Sequence, residues 1–268
     1  MSRFDLFWHK QLKRPYRLHV KHAGTPGKPV VVFIHGIAAS TEDWGKFIPL
    51  FEQDYHCVLI DLLGFGQSPK PQWADYTMET HTRSLFHTIN KQRLGKKFTL
   101  VGHSLGSFLA ARYALEHGPN LDRLVLLSPP VYPPLETIQK PYARGLTGAL
   151  LALYKLLRDE RMTPQTFARL SKVVPLPRNV VKHPETWTPF MRTLQQCIEQ
   201  QTILYDVKHS RVQTDVFYGN LDQVVVSGNV ERLADSDRVV LHTFVGTHEL
   251  SSRYGKKVSA VLGASTAT

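Results

Sequence analysis

Residues 98–116 read FTLVGHSLGSFLAARYALE. The first six, Phe98 to His103, have the short apolar character of a buried strand, and Leu105 to Glu116 have the length and composition of a helix. Where the two meet, Gly102-His103-Ser104-Leu105-Gly106 forms a G-x-S-x-G sequence. A serine on such a strand-to-helix turn is held in a strained backbone conformation, with its Oγ lifted above the sheet edge. The two glycines are required because side chains there would collide with the neighbouring strand and helix. The bland alternative is a tight turn whose serine merely caps the helix.

Outward from this point, the chain alternates short apolar strands with helical segments. PVVVFIHG (29–36), YHCVLID (55–61) and LDRLVLLS (121–128) are continuous apolar runs of the kind buried on both faces of a parallel sheet. Tyr16 to His22 alternates apolar and polar side chains, as a half-buried strand does. Helical spacing marks Trp44 to Phe51 and Met78 to Leu94. This alternation predicts a parallel sheet wound by crossover helices.

The rhythm breaks after Pro129, Pro130, Pro133 and Pro134, where about seventy residues carry helical signals and no convincing strand. Thr163-Pro164 is an N-cap and first-turn pair, and Glu185 to Leu204 can hold one long helix with Pro189 in or near its first turn. Leu146 to Leu157 is apolar enough to wall an acyl pocket or to pack on the core. Strands resume at TDVFYGN (214–220) and RVVLHTFV (238–245), with helices around Asn229 to Ala234 and Ser251 to Leu262. The expected organisation is one α/β core, 1–130 and 211–268, interrupted by a helical cap, 131–210.

The chain of 268 residues carries 33 Lys and Arg against 22 Asp and Glu, a formal charge of +11. A nucleic-acid partner is one reading of such a surplus. By segment, however, residues 1–28 hold seven basic and one acidic residue (+6), and 135–210 hold eleven and six (+5). The rest holds fifteen of each. A neutral scaffold with a basic arm and a basic cap argues against nucleic acid as the main partner. Anionic substrates could be drawn in if some of Arg144, Lys155, Arg158, Arg161 and Arg169 face the pocket.

The two cysteines, Cys57 and Cys197, are too few and too separated for a disulfide framework or a zinc site, which points to a reducing compartment. No window approaches the roughly 20 apolar residues of a membrane span. Charges scattered through the N-terminal MSRFDLFWHKQLKRPYR leave no apolar centre for a signal peptide. A soluble cytoplasmic protein is expected.

A serine hydroxyl becomes a nucleophile only when a base takes its proton, and an acid must hold that base in one tautomer. Asp222 follows the strand 214–220 and His248 follows the last strand. Both therefore lie where loops leave the carboxyl ends of parallel strands, the edge that also carries Ser104. Asp215 lies near the start of its strand, while Asp235 and Asp237 precede the final one. Among the other histidines, His35, His56, His103 and His242 belong to strands or strand ends. The oxyanion formed on a carbonyl needs preorganised donors. Leu105 supplies one backbone N–H at a helix N-terminus, and Ile37, in His35-Gly36-Ile37, can supply the second.

PVVVFIHGIAAS, VLIDLLGFGQS, TLVGHSLGS, YGNLDQVV and VGTHEL, in this order, resemble the α/β-hydrolase fold, in its serine-nucleophile branch with a helical cap. The resemblance implies a mostly parallel eight-stranded sheet flanked by helices, with the cap inserted after the sixth strand. It implies Ser104 as nucleophile, Asp222 as acid, His248 as base, and Ile37 with Leu105 as oxyanion donors. Ser107 stands where many relatives carry glycine. The implied activity is hydrolysis of a small-molecule carboxylic ester through an acyl-enzyme, with no metal or organic cofactor, no nucleic acid and no membrane span. Related chemistries on the same fold are carbon–carbon bond hydrolysis, cofactor-free haloperoxidase or perhydrolase activity, and release of N-terminal proline. A noncatalytic hydrolase-like receptor is the reading from outside the enzymes.

Overall fold

Apolar residues at consecutive positions of a strand face opposite sides of the sheet, and this determines where the core forms. The computed structural model describes residues 6–95, 97–159, 162–171 and 179–266. In β2 (Val30–Ile34), Val32 and Ile34 join the buried cluster on one face, while Val31 and Phe33 join the cluster on the other. The same division runs through β3 (His56–Ile60), β4 (Phe98–His103) and β5 (Leu121–Leu127). Continuous apolar runs thus become strands covered on both faces, as the sequence predicts.

With β1 (Val20–Gly24), β6 (Thr214–Gly219) and β7 (Val239–Phe244), the strands form one sheet in the order β1-β3-β2-β4-β5-β6-β7. β1 pairs antiparallel with β3; all other pairs are parallel. From β2 the chain crosses first to β3 on one side, then back to β4 on the other. The carboxyl ends of β2 and β4 therefore flank the point where the winding reverses, which is where open α/β sheets bind ligands.

Among the described residues the sheet has seven strands, not eight, and the helical insertion follows the fifth strand, not the sixth. The eighth strand came from the resemblance; the strand-like segments readable in the sequence already numbered seven. The alternating segment from Tyr16 enters the ladder only at Val20. Tyr16 and Leu18 are buried as the alternation requires. Their N–H groups, however, donate to the hydroxyls of Ser84 (3.2 Å) and Thr88 (3.0 Å), and that of His19 to Ser68 (2.9 Å). Side-chain acceptors take the place of a neighbouring strand.

Helix α1 (Met78–Lys91) starts as predicted and ends three residues before Leu94, whereas helix α2 (Leu105–His117) matches its predicted span. Trp44 to Phe51 forms 3₁₀ turns, Thr41–Lys46 and Ile48–Leu50, rather than an α-helix. The insertion carries α3 (Pro141–Leu157), α4 (Pro164–Leu170), α5 (Asn179–Lys182), α6 (Trp187–Thr193) and α7 (Ile203–His209). Thr163 caps α4 by accepting from Thr166 N, with Pro164 in the first turn. The expected single helix over 185–204 is instead α6, a π-helical turn over Leu194–Ile198, a break, and α7. The break is held from outside: Glu199 takes both guanidinium branches of Arg158 (2.5 and 2.6 Å), and Gln201 donates to Pro130 O (3.0 Å). Beyond β6, α8 (Ser227–Val230) runs into a 3₁₀ turn over Glu231–Asp235, and α9 (Ser252–Thr266) closes the chain.

Among the described residues the insertion has no separate core. Ala143, Tyr154, Leu157, Phe167 and Phe190 belong to the same buried cluster as Val32 and Ile34 of the sheet. Tyr132 OH, 3.1 Å from Tyr154 OH, donates to Val224 O at 2.6 Å, which ties α3 to the loop after β6.

Candidate active site

Ser104 stands between β4 and α2 with φ 54° and ψ −119°, a combination that side chains rarely adopt. Its N–H donates to Leu127 O of β5 (2.9 Å), and the residue is 7% exposed. A Cβ on Gly102 would run into the backbone of Gly106, and one on Gly106 into the carbonyls of Ile34 and His35. Both glycines of the motif are thus required by close backbone approach. Ser107 uses its hydroxyl on the same turn, donating to Gly102 O (2.8 Å).

The loop after β6 presents Asp222, and the loop after β7 presents His248. His248 Nδ1–H donates to Asp222 Oδ2 at 2.8 Å. The Asp222 side chain is fully buried, that of His248 27% exposed. Asp222 Oδ1 accepts the N–H groups of Val224 (2.9 Å) and Val225 (3.1 Å). Burial pushes the Asp222 carboxyl up, but the hydrogen bond and charge of His248, the Val224 N–H and the Ser128 hydroxyl outweigh it, and the net shift is downward. With Nδ1 carrying its proton toward a carboxylate, His248 has Nε2 free to accept one.

Ser104 reaches His248 through its neighbour. His103 Nε2 donates to His248 O (2.9 Å), and the two imidazoles lie 4.9 Å apart. Burial, then the nearby His248, lowers the His103 pKa to about 3, so the ring is neutral at neutral pH. Among the described residues Ser104 Oγ makes no hydrogen bond with His248; such contacts are often loose in unliganded sites. The predicted set thus divides into a formed Asp222–His248 pair and a nucleophile candidate one residue from the ring that holds their loop.

Ile37 and Leu105 lie at the carboxyl ends of the neighbouring strands β2 and β4. Gly36 packs against Ser104, where a Cβ would come within 3.1 Å of the serine Cβ. Neither the Ile37 nor the Leu105 N–H has a protein acceptor among the described residues. Ala38, next to Ile37, takes φ 56°, turning the chain sharply after the strand.

Residues that sequence reading passed over hold this loop. Asp61, buried at the end of β3, accepts from Thr41 N (2.7 Å), Gln67 N (2.8 Å) and His19 Nδ1 (3.0 Å). Gly66 packs so tightly on the Asp61 carboxylate that a Cβ would overlap it. Buried His35 donates from Nδ1 to Gly36 O (2.7 Å) and accepts Leu62 N–H at Nε2 (2.9 Å). One signal was available: an aspartate closing a buried strand just before a glycine-rich loop. The partners of His103, by contrast, are 145 residues away and have no local trace.

A cavity of about 420 Å³ opens between Ala38–Ser40, Phe65–Gln67, and His183 with Thr186 of the insertion; Ser104, Asp222 and His248 do not line it. Of the cap cations, Arg158 is paired with Glu199 and Arg144 donates to Ile138 O, while Lys155 and Arg169 are exposed. Arg161 lies outside the described residues. Burial pushes the Cys57 and Cys197 thiols up to about 12, so neither is a thiolate nucleophile at neutral pH. Among the described residues no group of three or more His, Cys, Asp or Glu could hold a metal ion, and no helix is long and apolar enough to cross a membrane.

Residues 29–236 match the family model described as alpha/beta hydrolase fold. The probable lysophospholipase BODYGUARD 1 of Arabidopsis thaliana is 34% identical over 142 residues, 51% of this chain and 29% of the relative. Coelenterazine h 2-monooxygenase of Renilla reniformis is 34% identical over 105 residues, 39% of this chain and 32% of the relative. The chain thus spans about a third of the length of these curated relatives. Among solved structures, a membrane phospholipase A superposes with a TM-score of 0.73 at 20% identity, covering 97% of this chain and 91% of its own.

Proposed function

The chain belongs to the alpha/beta hydrolase fold family, and from that premise we propose that it is a serine hydrolase that cleaves carboxylic esters through an acyl-enzyme. The observation that carries this reading is the 2.8 Å bond from His248 Nδ1 to a buried Asp222, on a loop tied by His103 to the strained turn of Ser104.

In the first half-reaction His248 Nε2 takes the Ser104 hydroxyl proton as Oγ adds to the ester carbonyl. Asp222 keeps the imidazole oriented and stabilises its charged form. The unpaired N–H groups of Ile37 and Leu105 receive the negative charge that develops on the carbonyl oxygen. Each such donor is worth about 10²–10³ in rate. The imidazolium then protonates the departing alcohol. In the second half, His248 activates a water that releases the acid and regenerates Ser104. Residues 131–210 act as a cap over the carboxyl edge of the sheet and shape the acyl or alcohol pocket.

The names borne by two similar proteins, lysophospholipase and phospholipase A, agree with an ester substrate. The test is a chain-length panel of p-nitrophenyl acyl esters together with a fluorophosphonate probe. Wild type turns over at least one ester and is labelled, and Ser104→Ala does neither while remaining folded. A wild type with no turnover and no labelling refutes the proposal.

A further inference from the structure

Between β5 and α3 the chain reads Pro129-Pro130-Val131-Tyr132-Pro133-Pro134. Four prolines leave only Val131 and Tyr132 with backbone N–H groups, so neither a ladder nor a helix can hold this stretch. Side-chain amides hold it instead. Gln201 accepts the Tyr132 N–H (3.1 Å) and donates to Pro130 O (3.0 Å). Asn229 donates to Val131 O (2.9 Å) and to the Thr147 hydroxyl of α3 (2.8 Å). The Val131 N–H turns back to Pro129 O (3.0 Å). Tyr132 therefore stands on a fixed backbone, and it is buried.

The direction of the hydroxyl bonds follows from the protons available. Tyr132 OH has one proton, and it goes to Val224 O at 2.6 Å. In its 3.1 Å contact with Tyr154 the Tyr132 oxygen is therefore the acceptor, and Tyr154, on α3, is the donor. Burial raises both phenols, Tyr154 to about 12, so the two hydroxyls keep their protons at neutral pH. Val224 is pinned from both sides: its C=O accepts from Tyr132, and its N–H donates to Asp222 Oδ1 at 2.9 Å. The Val225 N–H reaches the same oxygen (3.1 Å), while Oδ2 faces His248 Nδ1 at 2.8 Å. With one carboxylate oxygen seated on two backbone donors, the aim of the other is set by where Val224 and Val225 lie.

We infer that Tyr132 is a positioning residue for Asp222, acting through Val224, and that Tyr154 makes helix α3 of the insertion part of that support. The inference rests on the roles proposed above for Asp222 and His248. It gives the insertion a part in aligning the acid with the base, beyond shaping a pocket.

The experiment compares wild type with Tyr132→Phe, Tyr154→Phe and the double variant, which remove only hydroxyls. The first readout is the Nδ1–H resonance of His248 in protein labelled at histidine nitrogens, assigned by its absence from His248→Asn. Tyr132→Phe is expected to shift this resonance and to speed its exchange with water about tenfold, as the bond to Asp222 loosens. The second readout is ester hydrolysis. For Tyr132→Phe, kcat is expected to fall about tenfold with KM within about twofold of wild type. The acid limb of the kcat/KM profile is expected to move to lower pH, because a loosened carboxylate favours the imidazolium less. Tyr154→Phe should show the same changes in smaller degree, since Tyr132 keeps its own proton on Val224 O, and it carries the test should Tyr132→Phe fail to fold. Tyr154 acts only through Tyr132, so the double variant should match Tyr132→Phe. An unchanged Nδ1–H resonance, or an unchanged kcat in an active enzyme, overturns the inference, and additive losses in the double variant overturn the part given to Tyr154. A wild type without ester turnover refutes the hydrolase reading instead, and the resonance still decides whether Tyr132 holds Asp222 on His248.

Discussion

His103 Nε2 donates a 2.9 Å hydrogen bond to the backbone oxygen of His248, so the residue beside Ser104 holds the loop of the proposed base. The acceptor is 145 residues away, and the donor is buried and uncharged at neutral pH. His103→Phe keeps a ring of similar volume and leaves the His248 carbonyl without its donor. The loop then loses one fixed contact, and kcat/KM for the best ester is expected to fall about tenfold, with most of the loss in kcat. Unchanged steady-state kinetics would show that the loop is held elsewhere.

Asp222→Asn leaves the shape of the site intact but places an amide opposite His248 Nδ1. The imidazole then favours the wrong tautomer, and on the proposed mechanism kcat is expected to drop by roughly 10⁴, the loss this change causes in known Ser-His-Asp hydrolases. The thermal midpoint reports a second consequence. The wild-type carboxyl is more acidic when folded than when unfolded, so its ionised form stabilises the fold above the ordinary carboxylate range. That contribution fades as pH falls through the folded-state value. The stability gap between wild type and Asp222→Asn should therefore be constant near neutrality and close in acid.

Ser104→Gly should abolish ester turnover and stabilise the protein. At φ 54° and ψ −119° a side chain is strained, and glycine is not. Relief of about 1–3 kcal/mol, less the extra freedom of glycine in the unfolded chain, leaves a gain of about 1 kcal/mol. Calorimetry should show a midpoint raised by roughly 2–4 °C. A lowered midpoint would mean that the serine side chain contributes contacts that outweigh the strain.

Acid should weaken the fold from about pH 6.5 downward, the range in which an unfolded histidine takes up its proton. Burial lowers the pKa of His81 to about 4 and of His103 to about 3, and moves His35 in the same direction. Below their unfolded value these histidines take up protons only on unfolding, so stability falls as pH falls. Urea midpoints measured from pH 7.5 to 5 should decline, and His81→Phe should flatten the decline. A flat profile in wild type would show that the rings are protonated in the folded protein.

Asp61→Asn tests the support of the loop that carries Ile37. The carboxylate serves Thr41 N, Gln67 N and His19 Nδ1; an amide cannot accept from all three. At least one buried donor is left unpaired, costing about 1–3 kcal/mol. Denaturant titration should register that loss, with slower fluorophosphonate labelling of Ser104 as the loop loosens. Full stability and labelling would remove Asp61 from this role.

Much of the scaffold was legible because local pattern and global position agree. Valine-rich runs read as doubly covered strands are so, and the G-x-S-x-G turn has the steric closeness that its glycines imply. The segment from Tyr16 was read correctly for burial and incorrectly for pairing. Alternation reports which side chains face inward, not where the backbone N–H groups find acceptors. The long helix expected over 185–204 failed for a related reason: periodicity continued, but Glu199 and Gln201 are held by Arg158 and Pro130, partners no local window contains.

By itself, then, the sequence determined the strand–helix alternation, the strained serine turn, and which aspartate and histidine stand on the loops beyond β6 and β7. These follow from short-range sterics and from the period of apolar residues. Only the tertiary structure decided that Asp222 and His248 meet at 2.8 Å, and that His103 and Asp61 anchor the loops around Ser104. It alone decided that Tyr142, Leu146 and Leu156 of α3 stay exposed while Tyr154 and Leu157 are buried. Those outcomes depend on contacts between residues far apart in the chain, and a hydrogen bond or a buried face has no sequence signature until both partners have been placed.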